Sequence, residues 1–427
     1  MEGTIEISDE ENMRALGRPR PGPGSRPASY AASLRMLALL YFIFGFITCL
    51  NDILVPHLKR AFDLGYTRAM FIQLSFFSAY FLVSLPAGRL VDRIGCPRGM
   101  VGGLGTMAGG CLLFLPAAAA RSYPLFLLAL FLLAAGVTLL QVAANPYVAA
   151  LGSPETSSSR LTLTQAFNSL GTTAAPLFGS ALILARPGAR GGAAGADAVR
   201  LPYLGLAAAL AVLAVVTARF RLPPGAATGD AAGAVPFRPW RHRPLVLGAL
   251  GIFLYVGAEV GIGSFLVNYL GQLGIEGLTL ARAARYVSFY WGGAMAGRFL
   301  GSLFLRRVAP GRALVGHALA AAALVLTAML AGGRASLAAI LAVGLCNSIM
   351  FPTIFTLALR GLDHDLGRAS GILCMAVVGG ALVPVAQGAL ADWRGLPAAF
   401  ALPLACYLFI AYYGAAGHLP ARNRGGL

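Results

Sequence analysis

Residues 124–151 read PLFLLALFLLAAGVTLLQVAANPYVAAL, an apolar run without one charged side chain. A helix needs about 20 mostly apolar residues to cross the hydrocarbon core of a bilayer, so this run predicts a transmembrane helix. The whole chain agrees, because 58% of its 427 residues are hydrophobic and only 11% are charged. A water-soluble protein of this length cannot hide so much apolar surface, and lipid is therefore the expected solvent.

The same criterion finds about twelve such runs, which predicts an all-α membrane protein. The runs are 34–56, 70–90, 99–118, 124–151, 160–186, 201–218, 244–270, 281–304, 311–331, 335–360, 367–391 and 396–417. Their connections are short except at 219–243, which we interpret as a cytoplasmic linker between a six-helix half at 34–218 and another at 244–417. We expect residues 1–33 to be a disordered cytoplasmic tail and residues 418–427 a short cytoplasmic one.

The distribution of basic residues predicts the orientation in the membrane. With the N-terminus inside, about 21 Arg and Lys residues fall on cytoplasmic segments and about 11 outside, so both termini are expected in the cytoplasm. The chain is then a multi-pass protein of a bacterial inner membrane. Its net charge of +17 does not indicate a nucleic-acid partner, because the basic residues are scattered between apolar runs.

The two halves repeat one another weakly. Ala87-Gly88-Arg89 and Ala296-Gly297-Arg298 lie 209 residues apart, and Gly171 lies 209 residues before Gly380. Parallel repeats are typical of transporters in which two halves rock around a central site. The alternative is coincidence, since glycine is common in membrane helices.

Two carboxylates lie well inside predicted spans, Asp52 in the first and Glu259 in the seventh. An acid in hydrocarbon costs about 2.5–3.5 kcal/mol on insertion scales and is expected to face a cavity. Burial raises a carboxyl pKa, so such a group can bind and release a proton near neutral pH. We predict proton coupling by Asp52 and Glu259, with a structural carboxylate held by a hydroxyl or an arginine as the alternative.

Uncharged polar and aromatic side chains accompany these acids. The predicted substrate-binding residues are Asn51, Gln141, Asn145, Gln165, Asn168, Asn268, Tyr290, Trp291, Asn347 and Gln387. Amides both donate and accept hydrogen bonds, as sugar hydroxyls do, and aromatic rings stack on the apolar face of a sugar. For each single amide, an interhelical hydrogen bond is an equally good interpretation.

The second and third spans are joined by GRLVDRIGCPR, residues 88–98. The pattern Gly88, Asp92, Arg93, Gly95 and Arg98 resembles the cytoplasmic loop motif of the major facilitator superfamily. Asp92 is placed to pair with an arginine or a helix N-terminus across the loop, so we predict that this segment gates the inner face.

Three further segments resemble one particular family within this superfamily. Residues 50–54 (LNDIL), 141–147 (QVAANPY) and 165–171 (QAFNSLG) resemble the fucose:proton symporter family, and in particular its glucose/galactose transporter branch. Residues 259–269 and 347–353 extend the match, which covers about 34–417. The resemblance implies the major facilitator fold and monosaccharide uptake driven by an ion gradient.

In the fucose symporter, the acid matching Asp52 takes part in proton-coupled sugar binding. A second acid matches Gln141, which cannot titrate, so coupling by an acid pair on the first and fourth spans is in doubt. We therefore expect uptake of a glucose- or galactose-type hexose, or of fucose, by proton symport and alternating access. Sodium is the alternative coupling ion, since a hard cation prefers oxygen ligands.

A different function class stays open, because the same fold also permits proton-coupled export of drugs or metabolites. An enzyme is not expected, since the sequence has no nucleophile–base pair. We expect no cofactor and no metal site, and we interpret the six cysteines as small hydrophobic residues. The expected partners are a sugar and the lipid bilayer, and the chain is expected to be a monomer.

Overall fold

The structure, a computed structural model, describes residues 30–61, 66–179, 200–220, 237–275, 280–362 and 365–419. These residues form twelve helical spans, α1 to α12, and the described part of the chain contains no strand. The spans are α1 Tyr30–Ala61, α2 Tyr66–Ile94, α3 Cys96–Ala119, α4 Tyr123–Ala150, α5 Ser157–Gly179, α6 Arg200–Arg219, α7 Arg243–Gly271, α8 Leu280–Phe304, α9 Pro310–Ala331, α10 (Gly333–Asn347 with Met350–Ala358), α11 (Leu366–Met375 with Gly379–Arg394) and α12 (Leu396–Ala399, Ala401–Tyr412 and Tyr413–Gly417).

The prediction of an all-α membrane protein with about twelve spans is confirmed. In the described ranges, 10 helices are long and apolar enough to cross a membrane by length and composition. The helices α5 and α8 are outside this set of ten, and they carry many of the polar residues discussed below.

Local sequence signals set the helix ends. Proline occupies the first turn of α3, α4, α7, α9 and α12, where its missing N–H costs no intrahelical bond. Gly95 separates α2 from α3 with φ of 84°, and Gly332 separates α9 from α10 with φ of 72°. Both need the left-handed region that glycine enters without a steric penalty. Within α10 the helix is interrupted before Pro352, which has no N–H to continue the ladder.

The boundaries of the tail and of the linker differ slightly from those expected. The first helix begins at Tyr30, inside the expected tail 1–33, because Ser33 is already buried against the bundle. Of the expected linker 219–243, the structure describes 219–220 and 237–243, including a short 3-10 turn at Pro239–Arg241. Most of the predicted tails, 1–29 and 420–427, lie outside the described residues.

The two halves pack in the same pattern, as a parallel repeat requires. In the first half α1 packs on α5, and α3 packs on α4 and α6; in the second half α7 packs on α11, and α9 packs on α10 and α12. The α1–α5 and α7–α11 pairs each approach very closely at a glycine. A Cβ added to Gly171 would meet the Phe42 carbonyl oxygen at 2.1 Å, and one added to Gly379 would meet that of Phe253 at 2.0 Å.

The halves contact each other mainly through α2 with α11 and α5 with α8, and also through α4 with α11 and α5 with α10. We call one end of the bundle the Asp92 face; it comprises the helix ends at residues 94, 96, 150, 157, 304, 358 and 366. At this face Ser159 Oγ donates to the Ser302 carbonyl at 2.5 Å, and the hydroxyls of Ser158 and Thr356 are 2.6 Å apart. The halves are therefore in contact at the Asp92 face, which the charge distribution predicts to be cytoplasmic.

Candidate transport site

The first half contains a buried cluster of amides and tyrosines. Gln141 Nε2 is 2.6 Å from the Tyr80 hydroxyl, and the Tyr41 hydroxyl donates to Asn145 Oδ1. Asn168 Nδ2 donates to the Tyr41 carbonyl at 3.2 Å. Helices α1, α2, α4 and α5 thus meet through polar groups, and three of the predicted substrate-binding amides lie together here.

The second half contains a comparable buried network. The Tyr407 hydroxyl donates to Asn347 Oδ1 at 2.8 Å, and Asn347 Nδ2 donates to the Tyr290 hydroxyl at 2.8 Å. That hydroxyl in turn donates to the Glu259 carbonyl at 3.2 Å. Asn347, Tyr290 and Tyr407 are fully buried, so this placement favours the interhelical interpretation for Asn347 and Tyr290.

One tyrosine–amide pair occurs in both halves. Tyr80 on α2 bonds Gln141 on α4, and Tyr290 on α8 bonds Asn347 on α10. The two tyrosines lie 210 residues apart and the two amides 206 apart, close to the offset of the glycine repeat. The repeat therefore extends from helix packing to the polar groups that link the helices at the centre of each half.

Glu259 forms an ion pair that reaches both halves. Its Oε1 is 3.5 Å from Arg298 NH2, and the two side chains are only 11% and 15% exposed. Arg298 NH1 donates to the hydroxyl of Ser169 on α5. Glu259 and Arg298 belong to α7 and α8, so a single guanidinium connects an acid of its own half with a hydroxyl of the other half.

The remaining predicted residues are more scattered. Gln165 is buried on α5, one turn before Ser169. Gln387 is fully buried against Gly261 of α7, and neither end of its amide has a hydrogen-bond partner among the described residues. Asn268 lies exposed toward the end of α7. Trp291 is 41% exposed and its ring lies edge-on to Tyr290 at a centroid distance of 5.2 Å.

The two predicted residues on α1, Asn51 and Asp52, lie within the helix Tyr30–Ala61. Their side chains fall outside the residues whose side chains the structure describes. The role of Asp52 in proton coupling and that of Asn51 in sugar binding therefore stay predictions.

The loop motif places Asp92 at the start of α11. Asp92 Oδ1 accepts the Gly367 N–H at 2.7 Å, and Oδ2 accepts the Arg368 N–H at 3.2 Å. Arg368 Nε also lies 3.4 Å from Oδ2. A Cβ on Gly88 would meet the Gly367 carbonyl at 2.6 Å, so glycine allows this close approach of α2 and α11.

The other residues of the motif have different positions. Gly95 takes the positive φ between α2 and α3, while Arg93 and Arg98 are exposed. The carboxylate of Asp92 satisfies N–H groups that a helix N-terminus leaves free and complements its partial positive charge. The expected contact with a helix N-terminus is present, and the gating role assigned to the motif stays a prediction.

Sequence reasoning missed Arg298 as a site residue and treated it only as part of a repeat. The signal was available, because an arginine inside an apolar span is as costly as the acids that were singled out. Tyr41, Tyr80 and Tyr407 were missed as well. A tyrosine in a long apolar run looks like any other large core residue until its hydroxyl partner on another helix is known.

In the described part of the chain, no three His, Cys, Asp or Glu side chains lie together in a way that could hold a metal ion. The described residues instead provide a network of uncharged amides and tyrosines in each half, and the Glu259–Arg298 ion pair where the halves meet.

Comparison with known proteins agrees with this architecture. The family model described as Major Facilitator Superfamily matches residues 37–377. A glucose/galactose transporter of Brucella abortus is 55% identical over 92% of this chain and 96% of its own length. The L-fucose-proton symporter of Escherichia coli is 32% identical over 90% of this chain and 92% of its own length.

Solved structures give the same result. A major facilitator transporter in the outward conformation has a TM-score of 0.84 and 32% identity, covering 91% of this chain and 99% of that one. These relatives are named as transporters, in line with the expectation that the chain is not an enzyme. With a family model over most of its length and relatives at 55% and 32% identity, the chain belongs to the major facilitator superfamily, and within it to the fucose:proton symporter family and its glucose/galactose transporter branch.

Proposed function

We propose that this chain is a secondary active transporter that imports a glucose- or galactose-type hexose by proton symport. One observation carries the proposal: a chain related over nearly its whole length to a named glucose/galactose transporter has uncharged amides and tyrosines at its polar centre. Each sugar hydroxyl both donates and accepts, and amides match that requirement without a charge to desolvate. A hydrophobic cationic drug has few groups that could hydrogen-bond with these amides and hydroxyls, which disfavours the exporter alternative.

The sugar contacts are assigned mainly to the first half. Gln141 on α4 bonds Tyr80, Asn168 on α5 bonds the Tyr41 carbonyl, and Gln165 lies buried one turn before Asn168 on the same helix. Gln387 adds an amide from α11 that has no partner among the described residues, so a ligand hydroxyl would satisfy it. Tyr290 and Asn347 act as the scaffold that holds α8 and α10 together.

Alternating access follows from the contacts between the halves. Hydrogen bonds join them at the Asp92 face, through α2–α11 and α5–α8. With that face cytoplasmic, this is a state closed to the inside, and sugar and proton would enter from the opposite face. Opening the Asp92 face would then release both into the cell.

Localisation and assembly follow the same reasoning. The charge bias of the loops supports a bacterial inner membrane with both termini in the cytoplasm. One chain supplies both halves of the bundle, so a monomer is sufficient for transport.

The deciding experiment is uptake of labelled galactose, glucose and fucose into proteoliposomes, with proton and sodium gradients imposed separately. Accumulation of a hexose driven by a proton gradient is the expected result. Accumulation only with sodium would favour the sodium-coupled alternative. Failure to exchange any of the three sugars, together with proton-driven efflux of a drug or metabolite, would overturn the proposal in favour of an exporter.

A further inference from the structure

Arg298 differs from the arginines of the loops because it lies within a span and is largely shielded from solvent. It lies well inside α8, Leu280–Phe304, and its side chain is 15% exposed. A buried guanidinium requires partners for its charge and its donors. One terminal nitrogen contacts Glu259, the other contacts Ser169, and Nε has no partner among the described residues.

The contacts of Arg298 cross the boundary between the halves. Ser169 belongs to α5, and the α5–α8 seam also contains the Ser159–Ser302 hydrogen bond and a contact of the Thr173 hydroxyl with Met295 sulfur at 3.5 Å. These neighbouring contacts are made by neutral groups. Arg298 therefore brings a charge to a seam whose other polar contacts do not depend on ionisation.

Building on the proposed transport function, we propose that Arg298 couples the charge state of Glu259 to the contact between the two halves. Ionised Glu259 holds the guanidinium where it bonds Ser169 and stabilises the closed Asp92 face. A proton on Glu259 removes the countercharge and leaves a buried arginine without it, which is a costly arrangement. The closed seam then loses stability relative to the state that opens this face.

The other titratable side chains around Glu259 are tyrosines. They are Tyr255 on α7 itself, Tyr290 on α8 and Tyr407 on α12. Phenols stay protonated across the physiological range, so they do not compete for the transported proton. Among the described residues near this acid, Arg298 is the charged group whose position depends, in this proposal, on whether Glu259 is protonated.

The test needs a reporter of the opening of the Asp92 face that does not depend on sugar. Ser158 is buried where its hydroxyl meets Thr356 of the other half, so Ser158→Cys in a chain whose six natural cysteines are replaced reacts with a maleimide only when the seam opens. The labelling rate, divided by that of the denatured protein at the same pH, measures the open fraction.

We expect Glu259→Gln, Arg298→Gln and Ser169→Ala each to raise the corrected labelling rate about tenfold. The pH series is run in an Asp52→Asn background, which removes the other candidate proton site. There, acidification should raise the rate in the reporter, while Glu259→Gln and Arg298→Gln should make it independent of pH. Arg306→Gln is the matched control, because it removes an exposed arginine in the turn just after the same helix.

A residue that merely supported the fold would raise labelling at every pH and keep the pH slope. That outcome, or rates within twofold of the reporter for all three variants, overturns the proposal. Should Arg298→Gln not fold, Glu259→Gln and Ser169→Ala decide the question. Hexose counterflow is measured in parallel: the expected labelling pattern without any hexose exchange would refute sugar transport while leaving the coupling device intact.

Discussion

Asp92→Ala removes the group that holds the N-terminus of α11 against α2. Two backbone N–H groups, of Gly367 and Arg368, lose their acceptor at 2.7 and 3.2 Å. Loss of an N-terminal cap costs about 1–2 kcal/mol. The ion pair with Arg368 adds only about 0.3 kcal/mol, because that arginine is 45% exposed and its charge is screened by water.

The total of about 2 kcal/mol acts on the balance between the two access states, because the contact joins the two halves. It corresponds to a factor of about 30 in the equilibrium constant. If the state open at the Asp92 face is a minority of about 1%, it rises to roughly 20%. The Ser158→Cys reporter should then be labelled about 20 times faster in the Asp92→Ala background.

Two variants make this prediction specific. Asp92→Asn keeps an oxygen acceptor for one of the two N–H groups, so the labelling rate should rise much less than with alanine. Arg35→Ala removes an exposed arginine of α1 that is outside the loop motif and bonds only its own helix, so it should leave the rate unchanged. An unaltered rate in Asp92→Ala, with the protein folded and the reporter reactive after denaturation, would refute the gating role of the loop motif.

Three other predictions use the same preparations. Asp52→Asn should abolish uphill hexose accumulation in proteoliposomes and spare counterflow; full accumulation would remove Asp52 from the coupling mechanism. Gln141→Glu supplies the acid that the resemblance places here in the fucose symporter, so the measured number of protons per hexose should rise; an unchanged ratio would contradict a coupling role at this position. Gly344→Val should lower the free energy of unfolding by about 1–3 kcal/mol, because its Cβ would meet the Tyr290 carbonyl at 2.1 Å. Thermal unfolding in detergent measures this last effect, and Gly316→Val, with open space around the site, is the control that should not be destabilised.

The fold was largely predictable from sequence because a membrane imposes simple requirements. A bilayer demands long apolar helices, and proline and positive-φ glycine mark their ends, so about twelve spans could be counted without knowing any contact. The spacing of residues in the loop motif likewise predicted where its acid lies. Asp92 follows Gly88 by one helical turn, and that spacing places the acid beside the helix that packs on the glycine.

The site was less predictable, because polarity in a sequence does not reveal which partner a group has. Asn347 and Asn168 are both amides in apolar spans, yet Asn347 is locked between two tyrosines and Asn168 bonds a backbone carbonyl of α1. Distinguishing scaffold from ligand contact requires the packing of helices that are distant in sequence. Arg298 shows the same limit, since its partners lie 39 and 129 residues away on two other helices.

The position of α5 explains how two acids on equivalent helices can act on one transition. An acid that alters contacts only within its own half cannot drive the halves apart; it must reach a group on the seam between them. Glu259 reaches Ser169 of α5 through Arg298, and α1, the helix of Asp52, packs along α5 and bonds its Asn168 through the Tyr41 carbonyl. The helix that carries Asp52 and the ion pair of Glu259 therefore both contact α5, and α5 meets α8 where the closed face must separate. With glutamine at 141, the candidate proton sites Asp52 and Glu259 lie one in each half of the sequence, so we predict that loss of either carboxyl weakens coupling without removing the amides predicted to bind sugar.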